Sequence, residues 1–297
     1  PFEVEQIVGR GGMGTVFEGR HRRSGQPVAI KVIECEDEPR LRRQFRKEVR
    51  AHAGLRHPTV VHLFEYGEIE EIAAQNTHAE LRPGSPYVAM ELADAGTVRD
   101  AMPLGGWAGV RTLLRQVLDG LAHAHARDVV HRDLKPENLL LFESDAAGTL
   151  PRAKIADFGI AHALYDERNR ETDELQTAAG TPLYMAPEQL RGDWRRYGPW
   201  SDLYAVGCIA WELVSGRPPF ESENSLGVAL QHETEERPPL DPQFPVPDSL
   251  EAWVQRLMAV EPEERYRRAA EAAVALPSAP DGTADRQPAQ TGEVKPV

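Results

Sequence analysis

Cysteine is almost missing from this chain. Cys35 and Cys208 are the only two in 297 residues. Two thiols that far apart build neither a disulfide framework nor a zinc cluster, so a reducing, cytoplasmic setting is expected. Long apolar runs are missing as well. No stretch approaches the eighteen or so residues of a membrane span, and no signal peptide opens the sequence. The first residue is Pro1 rather than Met. The chain is therefore expected to be cut from a longer product, with no membrane contact of its own but with room for an anchor elsewhere. An excess of positive charge is also absent: 34 Lys and Arg stand against 47 Asp and Glu, a formal net charge of −13. That argues against nucleic-acid binding by phosphate neutralisation. Solubility, or basic protein partners, is what such acidity serves.

What is present is chemistry gathered in short stretches. His131-Arg132-Asp133-Leu134-Lys135-Pro136-Glu137-Asn138 offers a carboxylate, an ammonium and a carboxamide from one loop. Pro136 keeps the run from being a regular helix, since it lacks an N–H and restricts the residue before it. Phosphoryl transfer needs that set: an acceptor for the nucleophile's proton, a positive charge near the moving group, and a neutral oxygen for a metal. Upstream, Gly9-Arg10-Gly11-Gly12-Met13-Gly14 lets backbone N–H groups approach phosphate oxygens. Dinucleotide-binding folds share G-x-G-x-x-G, but there a helix follows. Here Thr15, Val16 and Phe17 follow, which predicts strand, loop and strand. Val28-Ala29-Ile30-Lys31 comes next, with Val28 and Ile30 on one strand face and Ala29 and Lys31 on the other. Lys154-Ile155-Ala156-Asp157-Phe158-Gly159 ends a strand in a carboxylate beside a glycine, a position suited to a metal ligand.

The spacing predicts a helix over 39–55, with Leu41, Phe45, Glu48 and His52 on one face. Another runs over 107–127, with Leu113, Leu114, Val117, Leu118, Leu121 and Ala124 buried. His123 and His125 on it are read as structural, since i and i+2 do not face each other. A third, from Ser201 to Leu213, is apolar nearly all round and so is buried. Residues 68–86 are polar and longer than a hairpin turn, which reads as a surface insertion. The segment from Asp157 to Glu188 carries few apolar residues and is expected to be mobile.

Taken in order, these stretches resemble the eukaryotic-like (Hanks-type) serine/threonine protein kinases, most like the bacterial members. The resemblance covers about residues 1–275. It implies an α+β, bilobal protein-kinase fold: a mostly β N-lobe with one helix over 1–90, a hinge at 91–94 and a mostly α C-lobe over 95–275. A disordered linker or tail would fill 276–297. It implies ATP as phosphoryl donor, with Mg²⁺, or Mn²⁺ in its place, and protein substrates. Gly11, Gly12 and Gly14 would cover the phosphates. Val8, Gly9, Val16, Ala29 and Leu140 would complete the nucleotide site. Met90 would be the gatekeeper, and the backbone of Glu91 and Ala93 would bond adenine. Lys31, held by Glu48, would bind the α- and β-phosphates. Asp133 would accept the substrate's proton, Lys135 would stabilise charge on the γ-phosphoryl group, and Asn138 and Asp157 would hold the metal. His52 stands where the family usually has an aliphatic residue, which bears on packing rather than on chemistry.

The same resemblance pairs Glu188 with Arg265, anchors the catalytic loop on Asp202, and sets Thr181 with Lys135 as the serine/threonine pattern. Arg132, directly before Asp133, marks kinases switched by phosphorylation. Thr177 is then the expected phosphosite, Thr172 a secondary one, reached by transient self-association and autophosphorylation. His162 replaces the usual arginine or lysine of the phosphate clamp. Glu137 and Glu212 fall where basophilic kinases receive a substrate arginine, with purely structural roles as the plainer alternative. Three rival functions fit less well. A pseudokinase would have lost Lys31, Asp133 or Asp157. An aminoglycoside-type kinase lacks the Asp157–Glu188 segment. A binding module would not need the charged set.

Overall fold

Short runs such as Val28-Ala29-Ile30-Lys31 build an antiparallel sheet in the first ninety residues, because alternate side chains of a strand point to opposite faces. The computed structural model describes residues 1–11, 14–33, 39–71, 81–143, 151–158, 182–234 and 236–278. Strands β1 (Phe2–Gly11), β2 (Gly14–His21), β3 (Pro27–Ile33), β4 (Leu63–Glu68) and β5 (Pro86–Met90) pair antiparallel in the order β1-β2-β3-β5-β4. Val28, Ile30 and Val32 share a cluster with Phe17, Ile69 and Ala89 on one face. Ala29 and Ile33 join Val88 and Met90 on the other, together with Phe45 and Val49 of helix α1 (Pro39–Ala53). At the hairpin, Gly14 has φ +141°, and a Cβ there would meet the Val32 carbonyl at 2.0 Å. Only glycine allows β2 to start so close to β3.

The polar stretch between β4 and β5 is not insertion throughout. Ile69 is buried. Its N–H donates to Ser85 O at 2.9 Å, and Gly84 N–H donates to Ile69 O at 2.8 Å. Leu81 packs on the same cluster. These contacts take residues 69 and 81–85 out of the expected surface insertion. Residues 72–80 lie outside the described residues.

A second, two-stranded sheet pairs β6 (Leu139–Phe142) with β7 (Arg152–Ile155). The rest is helical: α2 (Val98–Ala101), α3 (Trp107–His125), α4 (Pro187–Leu190), α5 (Pro199–Ser215), α6 (Ser225–Thr234), α7 (Leu250–Leu257) and α8 (Ala269–Ala275). This is the two-lobed α+β arrangement, a sheet with one helix on a helical body. Helix α5 is buried from Ser201 through Ser215, as its all-round apolar character requires. Helix α3 buries Leu113, Leu114, Val117, Leu118, Leu121 and Ala124 in the same core. The chain stays docked past 275. Leu276 is buried, Arg111 Nε donates to Pro277 O at 2.8 Å and Trp107 Nε1 to Ser278 O at 3.1 Å. The expected linker therefore begins no earlier than 279, outside the described residues. Among the described residues no helix is long and apolar enough to cross a membrane.

Candidate active site

Asp202 shapes the loop between α3 and β6. It lies in the first turn of α5, and both of its oxygens are bonded across to the loop, the anchoring role that the resemblance implies. Oδ2 accepts the N–H of His131 and Oδ1 the N–H of Arg132, both at 2.8 Å. His125 Nε2 donates to Oδ2, also at 2.8 Å. Burial alone would raise the Asp202 carboxyl, but His125, His131 and these bonds hold it below the usual carboxylate range. The bonds also hold Arg132 at φ +68°. A left-handed non-glycine residue costs roughly 1–3 kcal/mol. Two hydrogen bonds to a charged acceptor, at about 1.5–3 kcal/mol each, outweigh that.

Beyond Arg132 the loop is tied to the end of β7. His131 is fully buried. Its Nε2 donates to Ala156 O at 2.7 Å, and its Nδ1 accepts Asp133 N–H at 3.2 Å. Asp133 Oδ2 accepts from Lys135 Nζ at 2.8 Å and from Asn138 Nδ2 at 3.2 Å. Asn138 Nδ2 also donates to Asp133 O at 2.7 Å. Asp133, Lys135 and Asn138 thus form one bonded group, in which Asn138 donates through its amide nitrogen. The register Leu139↔Ile155 places Asn138 beside the end of β7, and Ala156 N–H donates to Asn138 O at 2.9 Å. Asp157 follows, also at a positive φ, +61°.

Asp157 brings in the N-terminal sheet. Lys31 Nζ lies 2.7 Å from Asp157 Oδ2. Burial would raise the Asp157 carboxyl, but Lys31 holds it below its usual range. The expected pair Lys31–Glu48 is not formed among the described residues. The Lys31 ammonium is taken by Asp157, and Glu48 Oε1 lies 3.9 Å from Arg132 Nη1. Two carboxylates compete for one lysine, and Arg132 offers the second a cation of its own. His52, four residues along α1, is buried. Its ring meets Phe158 edge-on at 5.3 Å, and Phe158 meets His131 at 4.8 Å. Its Nε2 donates to Val61 O at 3.1 Å, while Nδ1 is buried without a hydrogen-bond partner.

Where the lobes meet, apolar residues of both pack together. Ala29, Met90 and Ala156 belong to one buried cluster, and Val16, Leu92 and Leu140 pack against it. Val8, half-exposed on β1, stands at its edge of the sheet. Glu91 N–H is already donated to His62 O at 3.1 Å. Of the Glu91 backbone only the carbonyl remains for a ligand, and its side chain pairs with Lys154. Gly9, Gly11 and Gly14 lie on the β1–β2 hairpin. Gly12 lies outside the described residues.

The supporting pair is fully formed. Arg265 donates from Nη1 and Nη2 to Glu188 at 2.8 and 2.9 Å, with both side chains out of water. Ser201 Oγ donates to the same carboxylate at 2.7 Å. The remaining Arg265 donors reach the carbonyls of Ala259, Val260 and Trp200.

Thr172, Thr177, Thr181 and His162 all lie outside the described residues. Two contacts that shape the site had no signature in the sequence. His125, read as structural, bonds Asp202 across 77 positions. Arg99 on α2 joins Glu137, Glu212 and Tyr184. Only the Thr97–Asp100 capping box that starts α2 is visible locally.

The donors suit a divalent ion. Among the described residues no three His, Cys, Asp or Glu side chains form a closed metal site. One carboxylate and one amide oxygen on adjoining strand ends fit an ion that keeps waters and phosphate oxygens as its other ligands.

The protein kinase domain family matches residues 2–276. The serine/threonine-protein kinase PknB of Mycolicibacterium smegmatis is 34% identical over 295 residues, 97% of this chain and 44% of its own length. PknB of Mycobacterium tuberculosis is 34% identical over 278 residues, 91% of this chain and 41% of its own. A probable PknB of Bifidobacterium longum is 33% identical over 279 residues, 91% and 38% respectively. The chain therefore spans less than half the length of these curated relatives.

Proposed function

The chain belongs to the protein kinase family, and on that premise we propose that it transfers the γ-phosphoryl group of Mg·ATP to serine and threonine hydroxyls of proteins. One observation carries the reading: Asp133, Lys135 and Asn138 are bonded into a single group that adjoins the Lys31–Asp157 pair. Asp133 accepts the proton of the acceptor hydroxyl. The hydroxyl oxygen bonds to the γ-phosphorus as the bond to the β,γ-bridging oxygen breaks, which leaves ADP. Lys135 lies beside Asp133 to offset charge on the moving group. Lys31 turns from Asp157 to the α- and β-phosphates. A divalent ion on Asn138 and Asp157 would neutralise the phosphate oxygens. Everything else these residues do is positioning, which is where most of the rate comes from. The division into two lobes hinged at 91–94 and the reducing cytoplasmic setting belong to the same proposal.

Regulation follows from Arg132. A phosphate on Thr177, or secondarily Thr172, would bring close to two negative charges. Arg132 could then exchange Glu48 for the phosphate, and Glu48 would be released toward Lys31. His162 would add to the clamp only when protonated. Labelled Mg·ATP with a generic protein acceptor tests the activity, with Asp157→Asn as the inactive control. Mass spectrometry of the same samples tests the phosphosites. Phosphate transfer undiminished in Asp157→Asn, or an unmodified Thr177 in a fully active chain, overturns the corresponding half.

A further inference from the structure

Arg99 gives its whole guanidinium to one cluster. Nε donates to Glu137 Oε1 at 2.9 Å, Nη1 to Glu212 Oε1, and Nη2 to the Tyr184 phenol, which itself donates to Glu212 Oε2. The partners come from three parts of the fold. Glu137 sits in the 3-10 turn Pro136–Asn138, four residues past Asp133. Glu212 is on buried α5, and Tyr184 just precedes α4. Glu212 is only 7% exposed, whereas Glu137 is 46% and Arg99 34% exposed. The cluster therefore has a buried base and an open mouth beside the catalytic carboxylate.

A peptide that lays its hydroxyl on Asp133 carries its neighbours over this ground. Residues two or three places from the acceptor lie about 7–10 Å from it in an extended chain. Two carboxylates and a phenol converging on one point make a receptor for a planar, forked cation. Here the receptor is filled from within. Resting on the kinase reading, we propose that Arg99 is a specificity-determining residue: its guanidinium occupies an acidic subsite beside Asp133 and so removes selection for an arginine flanking the acceptor hydroxyl.

The test uses peptides with a single Ser or Thr acceptor and arginine or alanine at each flanking position. They are given to the wild-type chain, to Arg99→Met and to Arg99→Met/Glu137→Gln, each checked for folding by melting. If Arg99→Met does not fold, Arg99→Gln takes its place, since it keeps a donor toward buried Glu212. Wild type should treat arginine and alanine alike. The Arg99 variant should prefer arginine at one or two positions by roughly tenfold in kcat/KM, the worth of a charge-assisted bond partly open to water. Removing the Glu137 charge as well should reduce that gain. A merely structural arginine would change stability without creating selectivity. A folded Arg99 variant without the gain, or a wild type that already selects arginine tenfold, overturns the proposal. Equilibrium binding of the arginine peptide, with alanine at the acceptor position, separates the two readings. Tighter binding to the variant without phosphate transfer by any form keeps the subsite and overturns the kinase reading. Phosphate transfer without an arginine gain does the reverse.

Discussion

Nζ of Lys31 lies 2.7 Å from Oδ2 of Asp157, so the cation on β3 and the carboxylate after β7 satisfy each other across 126 positions of chain. Both side chains are mostly shielded, at 11% and 18% exposure. Glu48 meanwhile lies toward Arg132 at 3.9 Å. Two ion pairs thus hold four residues whose proposed work requires other partners: phosphate for Lys31 and Arg132, metal for Asp157, and Lys31 for Glu48. The arrangement is a set of exchanges waiting on charge supplied from outside.

Lys31→Met should therefore cost stability as well as activity. Breaking one side of a shielded pair costs roughly 3–5 kcal/mol, and the lower end, about 3, suits side chains that keep some water. The Asp157 pKa is depressed in the fold. Its contribution is full above the unfolded value near 3.9 and is lost as pH falls through the folded one. Urea unfolding at pH 7 should separate the two proteins, and their curves should converge below about pH 4. Equal stability at pH 7 would show the pair to be worth nothing.

Asp133→Asn tests the chemistry. Asparagine can still accept from Lys135 and Asn138 but cannot take the substrate proton. The rate should fall by about 10²–10⁴, the usual worth of a positioned base, with KM for ATP changed only a few fold. Steady-state kinetics with varied ATP decides it, and parent-like turnover removes Asp133 from the mechanism.

Arg265→Ala should leave Glu188 as a buried, unpaired charge, at a cost of roughly 3–5 kcal/mol. The carbonyls of Ala259, Val260 and Trp200 would also lose their donor. Arg265→Lys should recover less than half, because an ammonium cannot reproduce the two-pronged contact. Thermal and urea melts measure both. A lysine variant as stable as the parent would mean that charge alone, without the fork, holds this corner.

The sheet and its faces were legible because alternation is local. Val28 and Ile30 against Ala29 and Lys31 can be read in four consecutive residues. Helices α3 and α5 were legible for the same reason, through spacing of three and four and through all-round apolarity. Alternation names the face and says nothing of the partner, so Lys31 was assigned to Glu48 and the structure places it on Asp157. Ile69 was missed because one apolar residue in a run of Glu and Ala carries no period. The bonds of Pro277 and Ser278 to α3 span 166 and 171 positions, and composition read that stretch as linker. Arg99 failed for the same reason. Its partners are separated in sequence by 38, 85 and 113 positions, and nothing near it announces them.

His52 gives the chain a pH dependence that an aliphatic residue at its place would not. Burial depresses its pKa to about 4, against weaker opposing pulls from Asp157 and the Val61 carbonyl. The folded ring is therefore neutral over most of the working range, whereas the same histidine in the unfolded chain takes up a proton near pH 6.5. Between about pH 6.5 and 4 the unfolded state holds more protons, so stability must rise with pH across that window. Lowering the pH from 7 to 5 should cost about 2 kcal/mol through this one group. His52→Leu removes the titration and the unpartnered Nδ1. It also leaves the Val61 carbonyl without its donor, a loss of about 1 kcal/mol, and keeps an apolar contact against Phe158. The variant should thus be close to the parent at pH 7 and more stable than it at pH 5. His232, whose pKa burial lowers to about 3, adds a dependence of its own, but it does so equally in both proteins and cancels in their difference. Urea titrations of parent and variant at the two pH values provide the measurement. Parallel pH dependences would mean that the buried ring meets a compensating charge, and that His52 is a spacer against Phe158 and nothing more.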